Sequence, residues 1–348
     1  MDIPQGELNE NLLLLRFLGS PFSKEENNPP NETRANFFDL ALINSIPLLY
    51  LEQLRETDRL GNLKGLHSEF YSRYLNYLGD MKKISFILNR GKVEHAIFKS
   101  FMIYPFAMGD IDVLILGSDE DYERAFREVS ANYDLVGYGP QSITFRDPLA
   151  RIGIDLYREI AVNQLIYLDK GTFSEHVIKR RLPDDNSFLT LSSAADLVSI
   201  IAHSVIKEQM QKLSDYYFVL YHFHEMPSSG VDEFIRLVKE NHVEAAVRAY
   251  LTVAGALHAE AHGFVPKPLE RVLDEFNVEP IEELRLVKNG FRMPHKYHPI
   301  TIIKTLCEKL DSKKTRVSLA SQLLDLMKPS LLTEVIGGVI SHTKRESY

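Results

Sequence analysis

Three aspartates stand where the surrounding residues are apolar. Asp110 and Asp112 alternate with Ile111 and Val113 in GDIDVLIL, and Asp155 lies in RIGIDLY, about one hairpin downstream. Side chains at i and i+2 of a strand share a face. Asp110 and Asp112 therefore point one way, while Ile111 and Val113 point to the packed side. Two carboxylates on one strand repel each other unless a cation lies between them. Mg²⁺ (or Mn²⁺) suits such a pair, because it takes one or two carboxylates and completes its shell with phosphate oxygens and water. Asp155 would supply the third carboxylate of a two-metal arrangement. The competing reading is a solvated edge strand, since acidic pairs at this spacing are common on exposed strands, or a decayed site.

Other polar residues fall around this segment. Lys99 and Ser100 close the strand candidate VEHAIF (93–98), at a turn expected to feed a helix. Backbone N–H groups at such a turn can hold a triphosphate; the plain alternative is a strand-end lysine beside a helix-capping serine. Further on, 100° per residue places Asp196, His203 and Lys207 within about 20° of one helical line, a stripe suited to nucleotide phosphates or to ordering the carboxylates, or else simply solvated. Asp215 would cap or brace a helix pair. His222 and His224, at i and i+2 of a helix, point about 200° apart and cannot share a metal ion. Lys179-Arg180-Arg181 reads as a short basic run in a loop, either solvated or touching an anionic acceptor.

The elements that must position these residues follow from periodicity. NENLLLLRFLG is a short helix, residues 20–34 a Pro/Asn/Glu-rich loop, and residues 35–80 carry apolar residues at helical spacing with Pro47 as a break. After the strands at 93–98 and 111–116, residues 119–131 open acidic and continue as a helix. Strands follow at 134–138, 142–146 and 151–157. From Ser192 the chain is expected to be almost wholly helical: one long amphipathic helix through residues 192–224 capped by Ser192 or Ser193, then 231–241, 243–263, a break at Gly263 and Pro266, and 316–341. The expected fold class is α+β. A small mixed sheet over residues 81–185 lies between N-terminal helices (1–80) and a large C-terminal helical region (186–348).

Composition narrows the rest. The chain has 348 residues and a formal net charge of -8. Acidic surfaces repel polyanions, so no extended nucleic-acid surface is expected. The sole cysteine, Cys307, excludes an intramolecular disulfide and a Cys-based zinc site. The N-terminus lacks a basic n-region and a long apolar h-region, and no stretch approaches the ~18 apolar residues of a membrane span. The expectation is a cytoplasmic protein with no membrane partner.

Taken together, these residues resemble the DNA polymerase β-like nucleotidyltransferase superfamily, most closely its uncharacterised nucleotidyltransferase branch. The resemblance rests on Ile97-Phe98-Lys99-Ser100, Tyr104-Pro105, Gly109-Asp110-Ile111-Asp112-Val113-Leu114-Ile115, and then Asp155, Asp196, His203, Lys207 and Asp215; it covers roughly residues 80–265. Ser100 stands where a second small Gly is usual, and Met108-Gly109 where the branch often has an Arg. The resemblance implies transfer of a nucleotidyl group from a nucleoside triphosphate to an acceptor, whether small molecule, protein or tRNA. Asp110, Asp112 and Asp155 would be catalytic and metal-binding, and Lys99, Ser100, His203 and Lys207 would bind nucleotide. The alternative is a nucleotide-binding or regulatory, toxin–antitoxin-like protein with little catalysis.

Overall fold

The computed structural model describes residues 9–23, 37–106, 109–147, 152–181, 187–276, 282–288 and 290–326. The chain opens with helices α1 (Glu10–Leu18), α2 (Phe37–Ile43), α3 (Pro47–Glu56) and the long α4 (Lys64–Arg90). The sheet region follows as β1 (His95–Ile97), β2 (Asp110–Ile115), α5 (Asp119–Ser130), β3 (Asp134–Tyr138), β4 (Ser142–Arg146), β5 (Gly153–Tyr157), β6 (Ile160–Val162), β7 (Leu165–Leu168), β8 (Val177–Arg181) and β9 (Ser187–Leu191). The rest comprises α6 (Ser193–Ala202), β10 (Met210–Gln211), α7 (Leu213–Glu225), α8 (Ser228–Glu240), α9 (Glu244–His262), α10 (Lys267–Glu275), α11 (Glu282–Lys288), β11 (His295–Lys296), α12 (Pro299–Lys309) and α13 (Lys313–Leu326). The fold is α+β, as its sequence pattern predicts.

Seven strands form the main sheet in the order β3-β4-β5-β2-β1-β9-β8. β2 and β5 run parallel at its centre, as do β1 and β9, and the remaining neighbours are antiparallel. Strand alternation divides the two faces. Ile111, Val113 and Ile115 of β2 pack with Ile84 and Leu88 of α4 and Ala125 and Val129 of α5. The opposite face, through Phe98, Leu114, Tyr157 and Leu191, joins a larger core that also takes in Phe17, Val198, Phe218 and Leu251. That core draws on the N-terminal helices, the sheet and the C-terminal helices together. Asp110 and Asp112 share the Leu114 face, so they emerge where the sheet meets the C-terminal helices.

Local chemistry sets several boundaries. α5 begins with a capping box, in which Ser118 Oγ accepts the Asp121 N–H and Asp121 accepts the Ser118 N–H. Ser192 caps α6 by accepting the Ala195 N–H. Gly263 ends α9 in the left-handed region at φ 81°.

The break expected at Pro47 falls between α2 and α3, and Pro47 itself opens α3, whose first turn does not need its missing N–H. Other expected elements differ. The expected single helix over 192–224 is interrupted. His203–Glu208 widen into a π-helical turn, Gln209 adopts φ 54°, and Met210–Gln211 pair with Lys296 and His295 before α7 starts. Ser204 Oγ donates to the Met210 carbonyl at 2.6 Å and holds the reversal closed. Lys179-Arg180-Arg181 belong to β8, an edge strand, not to a loop. α13 covers the start of the helix expected at 316–341, and residues 327–341 lie outside the described residues. Among the described residues, no helix is long and apolar enough to cross a membrane.

Candidate metal and nucleotide site

The register of β2 on β5 sets Asp112 directly beside Asp155 and Asp110 beside Gly153. Each of the three aspartates offers an oxygen, and these oxygens lie within 4.8 Å of one another. A Cβ at position 153 would sit 3.3 Å from the Asp110 Cβ, so glycine leaves room for that side chain. Burial, followed by the repulsion of Asp112 and Asp155, raises the Asp110 carboxyl to about 6. Asp155 is raised as well, first by burial, and Asp112 adds to this. One Asp155 oxygen, Oδ1, is buried with no hydrogen-bond partner. An all-oxygen, anionic donor set with a buried oxygen left over fits a hard divalent cation such as Mg²⁺ or Mn²⁺.

Asp112 has a partner already. Lys99 Nζ lies 3.1 Å from Asp112 Oδ2 and 3.2 Å from His203 Nδ1. The same ammonium stands 4.6 Å from the Phe98 ring centre and 4.9 Å from that of Tyr157. Burial alone would push the Asp112 carboxyl up. Lys99 foremost, with Lys207, outweighs it and holds the group below the usual carboxylate range. Lys99 has φ 59°, and its backbone N–H donates to Asp196 Oδ1 at 2.7 Å. That one carboxylate, in the first turn of α6, ties the end of β1 to the C-terminal helices.

The polar stripe meets the aspartates despite the interrupted helix. His203 takes Lys99 Nζ and the Tyr167 hydroxyl on its Nδ1 side and Glu208, at 3.3 Å, on Nε2. Burial, then the Lys99 charge, lowers its imidazole to about 4, so it is neutral near pH 7. Lys207 reaches within 6.0 Å of the Tyr157 ring centre and acts electrostatically on all three aspartates. Asp196 is buried and raised to about 7, chiefly by burial, although the Lys99 N–H pulls it back.

The Ser100 side chain is engaged within the turn. Its hydroxyl donates to the Phe98 carbonyl at 3.0 Å and accepts the Asp112 N–H at 2.8 Å. No helix follows it; residues 101–106 are irregular. The turn therefore lacks the helix N-terminus expected to support phosphate binding. Asp215 caps α7 by accepting the Lys212 N–H at 2.9 Å, away from the cluster. His222 is buried and His224 exposed, as their opposite helical directions require.

Four further residues border the site. The Tyr157 ring forms one wall of the Lys99 environment, and burial together with the neighbouring Asp112 keeps its hydroxyl protonated. Tyr167 and Glu208 hold His203 from two sides, and Gly153 makes space for Asp110. Tyr157 was detectable in principle, since it falls two residues after Asp155 and so on the same strand face. The contributions of Tyr167 and Glu208 depend on a hairpin and a helix defect that period alone does not reveal. No known protein-family model matches this chain, and no curated protein is similar to it in sequence.

Proposed function

We propose that this protein is a divalent-metal-dependent nucleotidyltransferase. The observation that carries the reading is the convergence of one oxygen each from Asp110, Asp112 and Asp155 within 4.8 Å, on adjacent parallel strands. Asp110, Asp112 and Asp155 would hold Mg²⁺ or Mn²⁺, which supplies charge neutralisation for a triphosphate and lowers the pKa of an attacking hydroxyl. Lys99 and Lys207, beside the carboxylates, supply the positive charge a triphosphate needs. His203, neutral and braced by Glu208 and Tyr167, keeps the Lys99 ammonium oriented. Asp155, with one oxygen free of hydrogen bonds, is the carboxylate best able to take a proton from an acceptor hydroxyl. Catalysis of this kind rests on positioning and charge more than on covalent chemistry.

One observation favours a second reading, a nucleotide-binding or regulatory protein with little transfer activity. The Lys99 ammonium already neutralises one of the three carboxylates. Incubation with each α-³²P-labelled NTP, Mg²⁺ or Mn²⁺ and cell extract separates the two. Label passing to an acceptor supports transfer. Metal-dependent NTP binding without label transfer supports the regulatory reading, and no binding of any NTP overturns both.

A further inference from the structure

We propose that Lys99 is a resident cation of the carboxylate site, displaced onto the nucleotide's phosphates, so that a divalent ion is captured well only when nucleotide arrives with it. This rests on the metal- and nucleotide-binding reading above and adds the order and coupling of the two ligands.

The Lys99 side chain is held from every side. Its ammonium has Asp112 Oδ2 at 3.1 Å and His203 Nδ1 at 3.2 Å, with the rings of Phe98 and Tyr157 on two flanks. Lys99 is only 1% exposed, so water contributes little to its solvation. A bare divalent ion drawn to Asp110 and Asp155 would also need Asp112, and would approach an ammonium bonded to that same carboxylate. Like charges at such range in a poorly hydrated site oppose each other strongly. The ammonium cannot simply be released to solvent, because leaving a buried carboxylate or a buried lysine unpaired is costly.

The backbone limits where it can go. The N–H of Lys99 is fixed on Asp196 Oδ1 at 2.7 Å, and Asp196 is itself 1% exposed. The left-handed φ of 59° is held by that contact and by the strand before it. Relocation is therefore a side-chain rotation about a fixed Cα. A polyphosphate gives the swinging ammonium a new anionic partner and frees Asp112 for the metal in one exchange. Metal and nucleotide then bind with positive coupling, and each raises the affinity for the other by the same factor. His203 is the hinge post of this exchange: its Nδ1 faces both Lys99 and Tyr167, so an acceptor remains beside the lysine throughout.

The test is Mn²⁺ binding, read from the free-ion EPR signal, with and without the non-transferable analogue α,β-methylene-ATP, each referred to a protein-free sample holding the same analogue, which itself chelates Mn²⁺. In the wild-type protein, Mn²⁺ alone should bind weakly, and the analogue should tighten it at least about tenfold. Lys99→Met and Lys99→Gln should each tighten Mn²⁺ alone by at least about tenfold and weaken the coupling to the analogue. Lys99→Arg, which keeps the charge, should behave like the wild type toward Mn²⁺ alone. Either neutral variant that melts cooperatively suffices. If Mn²⁺ alone binds the neutral variants no better than the wild type, while the wild type still binds Mn²⁺ with the analogue, Lys99 is no competing cation and the proposal falls, with the site reading intact. If folded wild-type protein takes no Mn²⁺ with or without the analogue, the site reading falls and this proposal with it.

Discussion

The Ser100 hydroxyl stitches β1 to β2: it accepts the Asp112 backbone N–H at 2.8 Å while donating to the Phe98 carbonyl at 3.0 Å. Tyr77 adds a second stitch, donating its hydroxyl to the carbonyls of Ser100 and Asp110. The turn after β1 is thus built to hold Asp112 at a fixed height beside Asp155. Ser100→Ala strands the buried Asp112 N–H, which should cost about 1–3 kcal/mol of stability. Chemical denaturation measures this directly. A Ser100→Ala protein as stable as the wild type, but weakened in nucleotide binding, would move this hydroxyl from the scaffold to the ligand.

Asp112 and Asp155 should respond differently to neutralisation. Asp112→Asn removes the partner of a buried lysine, so apo stability should fall, toward the lower end of about 3–5 kcal/mol because Asp110 and Asp155 still feel the Lys99 charge. Asp155→Asn relieves carboxylate repulsion at a residue whose Oδ1 has no partner. Its apo melting temperature should hold or rise, while stabilisation by Mg²⁺·NTP disappears. Melting both variants with and without Mg²⁺·NTP checks the pair. An Asp155→Asn protein that gains normally from Mg²⁺·NTP removes Asp155 from the metal site.

A third expectation lies away from the site. His222 is 1% exposed, neither ring nitrogen has a hydrogen-bond partner, and its ring stacks on Phe218 at 4.2 Å. Burial, then the Arg180 charge, lowers its imidazole to about 3. The unfolded chain therefore binds a proton near pH 6.5 that the folded chain refuses. The sign follows: this residue's contribution to stability is intact above pH 6.5 and is lost as pH falls below it. Between pH 8 and pH 5 the loss should be about 2 kcal/mol. His222→Phe keeps the stack, removes the titration and should flatten that part of the stability profile. Denaturation midpoints across this pH range decide it, and an unchanged slope would falsify the assignment.

The hydrogen bond that ties α6 to the end of β1 is open to test. Asp196→Ala frees the Lys99 N–H and leaves it buried and unpaired, with an expected cost of about 1–3 kcal/mol. Asp196→Asn keeps an acceptor oxygen there and should recover most of that loss. Urea unfolding of the two variants compares them; equal losses would mean that the charge of Asp196, rather than its acceptor, holds the turn.

Much of this site was legible from local pattern. Alternation in Asp110–Ile115 requires Asp110 and Asp112 to leave their strand on one face, and alternation in Gly153–Tyr157 puts Asp155 on the face of Tyr157, because the strand period is 2 wherever the partner lies. The acidic start of α5, the Ser192 cap and the Gly263 stop are likewise local, and all are present. Tertiary structure decided what depends on partners distant in sequence. The parallel pairing of β2 with β5 sets Asp112 against Asp155, and no feature of either segment alone specifies that register. The left-handed turn at Lys99 is held by Asp196, 97 residues away, and it aims an ordinary strand-end lysine back at Asp112. The amphipathic run from Ser192 promised one helix. The pairing of Met210–Gln211 with His295–Lys296 and the Ser204 bond to Met210 instead stabilise a wide turn, which swings His203 against Lys99. Helical periodicity records which face is buried. It does not record where a distant strand will take hold of the backbone and end the helix.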